Sequence, residues 1–293
     1  MQMGQEGHGL LDSGGLTFTS RPMFRNILVA DSGKGHVETM VSMMQRVPTF
    51  AGARFTLLHV LDVQGKDSLA DGMEAGARLL AQAVGAMKLN PATVTTILRQ
   101  GDTKQTVLAV ANEVNADLVV MGSRGAGRLQ SILMNSASQY VFQLSSRPML
   151  LVRDDLYVRH PNRLLVAVDG TAISDSALNL ACDLARGVDS MNVRVIHVSK
   201  QRGSSQMAER ILDKARLRAR RLGVDVETEE RNGNPAQEIC AAVEDSNSDL
   251  LVMSSPDRRP SVARNLVDLD KLLGSSISDY VRVKAPCPVL LVR

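Results

Sequence analysis

The sequence predicts an α/β protein made of two repeated, doubly wound, five-stranded parallel-sheet domains. Three observations predict it. The chain states one pattern twice: segment 26–152 can be laid on segment 163–292 with its landmarks in the same order. A repeat of that length is a duplicated domain, since solenoid repeats run to roughly 20–50 residues. Within each copy, short β-branched runs alternate with longer helical patterns, an order that implies a mostly parallel sheet with helices on both faces. The strand runs are also nearly continuous in apolar residues, as strands covered on both faces are.

Taken in order, the first copy predicts strands at Ile27–Asp31, Phe55–Val60, Thr93–Leu98, Leu118–Met121 and Met149–Val152. Between them lie helices over His36–Val47, Ser68–Lys88, Thr103–Asn115 and Ser136–Leu144. The second copy follows with strands Leu165–Asp169, Arg194–Val198, Asp225–Glu229, Leu250–Met253 and Val289–Val292. Asp102 and Asn234 stand at matching N-cap positions, and Pro235 falls at the first helical position, where its missing N–H costs nothing. Met40, Met43 and Met44 lie along one helix, where they fill core. The pattern Asn26-Ile-Leu-Val-Ala-Asp31 answers Leu164-Leu-Val-Ala-Val-Asp169, but one residue short, so the direction of Asp31 is open.

The expected organisation is a flexible tail over residues 1–22, a first domain over 23–153 and a second over 162–293, with no function assigned to the tail. The linker Arg153–Pro161 is short and charged, which brings the two final strands together and favours one compact body. The second-copy helix Gln206–Gly223 carries Arg210, Lys214, Arg216, Arg218, Arg220 and Arg221, read as a solvated exterior with a basic binding face as the alternative.

Composition excludes several classes. A formal charge of +3, no Trp and 3% aromatics give no sign of the basic stripe and stacking rings of a nucleic-acid binder. No apolar stretch approaches the ~20 residues that span a bilayer, and no basic region followed by an apolar run opens the chain. The three cysteines, Cys182, Cys240 and Cys287, are scattered and read as reduced core thiols. Together these features predict a cytoplasmic protein with no membrane insertion.

In open α/β sheets, ligands bind outside the carboxyl ends of the strands, where strand order reverses. Two features of the first copy converge there. Asp31 closes strand one, and Gly122-Ser-Arg-Gly-Ala-Gly-Arg128 follows strand four. Glycines after a strand let backbone approach a phosphate. A helix then opens near Ser136, where free N–H groups favour an anion, and Ser136 and Ser138 add hydroxyls. Arg124 and Arg128 either supply charge or point to water. Asp31 can accept from an amino or ribose hydroxyl group.

With these residues in place the chain resembles the universal stress protein family in its tandem form. The family pattern is Gly-x2-Gly-x9-Gly-Ser/Thr after strand four; here it reads Gly122-x2-Gly125-x9-Asn135-Ser136, with Asn in place of the third glycine. Further shared features are Asp31 and Asp169, the pairs His59-Val60 and His197-Val198, and the closing run Ala285–Val292. The resemblance covers essentially everything after residue 22. It implies an adenine nucleotide alpha hydrolase-like fold with strand order 3-2-1-4-5, the final strands pairing across the tandem halves as an intramolecular pseudo-dimer.

The resemblance also implies ATP or another adenine nucleotide, with or without Mg, between strands one and four. Adenine or ribose falls near Asp31 and Val60, and phosphates fall on Gly122, Gly125, Ser136 and Ser138, with Arg124 and Asn135 in the same loop. Asn tolerates positive φ better than most residues, so Asn135 can keep the turn while narrowing access. The second copy keeps Val168-Asp169-Gly170-Thr171 but has Ser254, Pro256 and Asp257 where the loop glycines stand, so it reads as a degenerate site. A remodelled pocket using Arg258, Arg259 or Arg264 is the runner-up.

Some signals mislead. Asp31-Ser-Gly-Lys-Gly-His36 is not a P-loop, because Leu28 and Gly35 occupy positions that require Gly and Ser or Thr. His59 and His197 fit structural hydrogen bonds better than ligand roles. No metal constellation, nucleophile elbow or triad spacing is present. The expected function is a stress-response regulator that binds nucleotide and is read by an unidentified protein partner. No general base is aimed at a water, so turnover is at most weak ATP hydrolysis. A nucleotide-free scaffold is the alternative, and a homodimer of tandem chains stays open.

Overall fold

The computed structural model describes residues 23–33, 35–61, 69–123, 136–200, 205–255 and 276–293. Its first half runs β1 (Asn26–Ala30), α1 (Val37–Met44), β2 (Arg54–Leu61), α2 (Leu69–Met87), β3 (Val94–Gln100), α3 (Thr103–Glu113), β4 (Leu118–Ser123), α4 (Ala137–Leu144) and β5 (Met149–Arg153). The second half runs β6 (Arg163–Ala167), α5 (Ala172–Ala185), β7 (Asn192–Ser199), α6 (Ser205–Arg221), β8 (Val226–Asn232), α7 (Pro235–Asp245), β9 (Leu250–Ser254), α8 (Ile277–Lys284) and β10 (Val289–Val292).

All ten strands form one sheet in the order β3-β2-β1-β4-β5-β10-β9-β6-β7-β8. Each half therefore carries the expected 3-2-1-4-5 order, parallel throughout, and the two halves meet where β10 pairs antiparallel with β5. At that seam Leu290 lies opposite Leu150. Alternation along the strands sends side chains to two faces. One layer packs Ile27, Val29, Val120, Leu150 and Leu290 under α1, α2, α5 and α6. The other packs Leu28, Val119, Met121, Leu151 and Leu291 under α3, α4, α7 and α8. Both layers run unbroken through the seam, so the halves share their core. Met40 and Met44 are buried in it as expected, with Met43 packed against its edge.

Local chemistry sets the helix ends. The Asp102 carboxyl accepts from Gln105 N at 2.9 Å, and Asn234 Oδ1 accepts from Ala236 N at 3.0 Å. Helix α3 stops short of the predicted Asn115, which turns to φ 49°, as its counterpart Asn247 does after α7. Asn is among the few residues that end a helix this way. The outer strand β8 runs three residues beyond its predicted end and carries Glu227, Glu229, Glu230 and Arg231. Such charges discourage further strand pairing at an edge.

A second arginine-rich feature is local. On α6, Lys214 and Arg218 reach Asp175 of α5 at 2.7 and 3.6 Å, and Arg216 pairs with Asp213 at 2.5 Å. These partners account for much of the helix's positive charge and fit a solvated exterior.

Two further arginines tie the halves together. Arg153, at the end of β5, donates from Nη1 to Ala285 O at 2.7 Å, the C-cap of α8, and clasps Asp155 with its other nitrogens at 2.9 and 2.7 Å. Arg293, just after β10, donates to Phe142 O in the last turn of α4 and lies 4.1 Å over the Phe142 ring. Each half thus caps the last helix of the other, where exposed carbonyls favour a cation.

Candidate functional site

Strand order reverses between β1 and β4, and a cleft of about 350 Å³ opens there at the carboxyl ends of the strands. Asp31, Val60, Gly122, Ser136 and Ser138 all line it, so five of the expected residues converge. Arg124, Gly125 and Asn135 lie outside the described residues, as do Lys34, Arg128 and most of the loop after β9. Ser123, Thr103 and Asp154 also line the cleft and were not predicted. Ser123 follows the first loop glycine in sequence, yet it belongs to β4 itself.

The one-residue shortening of the first copy has a definite structural result. Asp31 N donates to Leu58 O at 2.9 Å, just as Val168 N donates to Ile196 O at 2.9 Å. His59 Nδ1 lies 2.8 Å from Asp31 O, and His197 Nδ1 lies 2.8 Å from Val168 O. Because a carbonyl only accepts, each ring carries its proton on Nδ1, which bears out the structural role expected of both histidines. Asp31 therefore stands where the second half has Val168, a core residue, and not where it has Asp169. The sequence pairing of the two aspartates is corrected accordingly.

This placement buries the Asp31 side chain to 4% exposure. Oδ1 accepts from Gly33 N at 2.8 Å in a tight turn, and Gly33 takes φ 72° to make it. Oδ2 is buried, and the Asp31 carboxyl interacts with that of Glu38. Glu38, in the first turn of α1, has its carboxyl raised from the usual range by burial, and the neighbouring Asp31 raises it further. Asp169 is different: burial would raise it, but the Thr171 hydroxyl at 2.6 Å and Thr171 N at 3.0 Å outweigh that and hold it low.

At the other end of the cleft, α4 begins. Its N-cap Ser136 accepts from Gln139 N at 3.3 Å, and Ser138 Oγ lies 3.4 Å from Ser136 Oγ. Alternation along β4 turns Ser123 towards the same α3–α4 side as Met121. The cleft thus runs from Asp31 to a hydroxyl and helix-terminus end at Ser123, Ser136 and Ser138. That end suits the negative oxygens of a ligand.

The second half keeps a cleft of about 500 Å³ in the same place, lined by Asp169, His197, Lys200, Ser254, Ser276 and Ser278 among others. There Ser278 Oγ lies 3.0 Å from Ser276 Oγ and 2.9 Å from Ser255 Oγ.

With a tandem α/β sheet and a cleft at each switch point, the chain belongs to the universal stress protein family, whose pattern matches residues 23–153 and again 161–293. A universal stress protein of Mycolicibacterium smegmatis is 26% identical over 91% of this chain and 96% of its own length. One from Synechocystis is 33% identical over 44% of this chain and 86% of its own. Among solved structures, a universal stress protein from Archaeoglobus fulgidus superposes with a TM-score of 0.72 at 21% identity, covering 92% of this chain and 96% of that one. Among the described residues, no helix is long and apolar enough to cross a membrane.

Proposed function

We propose that the first half binds one adenine nucleotide, ATP or a close relative, in the β1/β4 cleft, and that the second half is a degenerate copy that completes the sheet. One observation carries this reading: Asp31, Val60, Gly122, Ser136 and Ser138 line a single cleft where strand order reverses, and its far end is a serine-lined helix N-terminus. Asp31 accepts the ligand's amino or hydroxyl donors and Val60 lies beside the adenine. Gly122, Gly125, Asn135, Ser136 and Ser138 surround the phosphates, and Arg124 adds positive charge. Magnesium, where the nucleotide carries it, enters with the phosphates.

Function is binding rather than turnover. Nucleotide favours one conformation of the surface around the cleft, which a protein partner in the cytoplasm reads during a stress response. Two tandem chains associating as a homodimer is compatible with this reading but is not required by it.

The test is release of co-purified nucleotide by denaturation, followed by chromatography and quantitation per chain, with Gly122→Asp as comparison. About one adenine nucleotide per chain is expected, and Gly122→Asp, which sets a carboxylate against the phosphates, removes it. Two per chain overturns the degenerate second site. None, with no thermal shift on adding ATP and magnesium at millimolar concentration, leaves the nucleotide-free scaffold in its place.

A further inference from the structure

The two clefts share one serine constellation in two states. Gly122 pairs with Val152 and Ser254 with Val292, so Ser123 and Ser255 are equivalent positions. Ser138 and Ser278 are likewise the third residues of the repeated Ser-x-Ser helix starts. In the second half these hydroxyls are closed on one another. Ser255 Oγ meets Ser278 Oγ at 2.9 Å, Ser278 Oγ meets Ser276 Oγ at 3.0 Å, and Ser276 Oγ donates to Asp279 Oδ2 at 2.7 Å. Each hydroxyl has one hydrogen, so the chain runs Ser255 to Ser278 to Ser276 to the carboxyl, and every donor is used.

In the first half the chain is open. Gln139 replaces the terminal acceptor Asp279, and the Ser136–Ser138 contact lengthens to 3.4 Å. Ser123, at 5% exposure, lines the cleft with its Oγ buried and without a partner. Burying a hydroxyl without a partner is unfavourable, and a methyl group would fit this slot at lower cost.

We infer that Ser123 is a ligand contact, donating with Ser138 to one phosphoryl oxygen of the nucleotide at the start of α4, and that closure of the same pair in the second half excludes that oxygen there. This rests on the nucleotide reading above. A phosphoryl oxygen fits because Ser123 and Ser138 both have a hydrogen to give, and the first N–H groups of α4 add to them. The Asp31 end, which accepts only, is left to the uncharged part of the ligand.

The experiment is calorimetric titration of ATP into the full chain and its Ser123→Ala, Ser138→Ala, double and Ser255→Ala variants, with the melting temperature of each unliganded protein. Ser123→Ala is expected to weaken ATP binding roughly ten- to a hundredfold while leaving the unliganded melting temperature equal or higher. Ser138→Ala weakens binding similarly, and the double variant loses less than the product of the two, since both hold one oxygen. Ser255→Ala is expected to lower the melting temperature, by breaking a made bond, and to leave ATP affinity unchanged.

Wild-type ATP binding with unchanged affinity in Ser123→Ala overturns this inference alone. So does a Ser123→Ala melting temperature that falls as far as that of Ser255→Ala. A wild-type chain that takes up no ATP removes the nucleotide reading and this inference together. Should either single variant misfold, the other still decides the ligand contact.

Discussion

Replacing Arg153 by Met tests whether the two halves are one cooperative unit. The Arg153 side chain is only 9% exposed, so Met can occupy much of its volume, and the change removes mainly hydrogen bonds. Two contributions are lost. The ion pair with Asp155 involves a carboxylate that is 41% exposed and is screened, so it is worth at most about 1 kcal/mol. Ala285 O is the larger loss: its residue is wholly buried, and Nη1 at 2.7 Å is its side-chain donor among the described residues. Stranding it costs about 1–3 kcal/mol. The sum is about 1–4 kcal/mol. At roughly 2 °C per kcal/mol for a chain of this size, the melting temperature falls by about 2–8 °C.

Differential scanning calorimetry reads this directly. The wild type is expected to give a single endotherm, because both core layers cross the β5–β10 seam. Arg153→Met moves that endotherm down as a whole, and Arg153→Lys falls between the two, since an ammonium cannot hold Asp155 and Ala285 O at once. A wild type with two separate transitions, or an Arg153→Met melting temperature within 1 °C or so of wild type, refutes the clamp.

Two further outcomes are expected. The folded Glu38 carboxyl is raised above its ordinary value of 4.5 by burial and by Asp31, so its contribution to stability is complete below that pH and is lost as pH rises through the folded value. Glu38→Gln should therefore melt higher than wild type at pH 7, with the difference shrinking towards pH 4 in a series of thermal scans; a difference that grows on acidification rejects the assignment. Burial pushes the Cys240 thiol up to about 11 and Cys182 up to about 12, and raises Cys287 as well. Thiol reagents at pH 8 should accordingly label none of the three in the folded chain and all three in denaturant, and rapid labelling of native protein would contradict their burial.

What the sequence determined by itself was whatever depends on local pattern. The duplication, the strand runs, the Asp102 and Asn234 caps and the buried face of α1 follow from period, propensity and neighbours within a few residues. Five cleft residues, Asp31, Val60, Gly122, Ser136 and Ser138, were legible for the same reason, because each sits at the end of a strand or the start of a helix whose place in the fold is regular. The tertiary structure decided where a residue count meets its neighbours. One missing residue in the first copy carries Asp31 into the slot of Val168, and only the hydrogen bonds to Leu58 O and from His59 reveal it. Ser123 gained its interest from what it lacks, a partner that Ser255 has. Arg153 and Arg293 cross to opposite halves over 132 and 151 positions of chain. Contacts at that separation leave no periodic trace in a single sequence, because the strand pairing that creates them is set by the whole sheet.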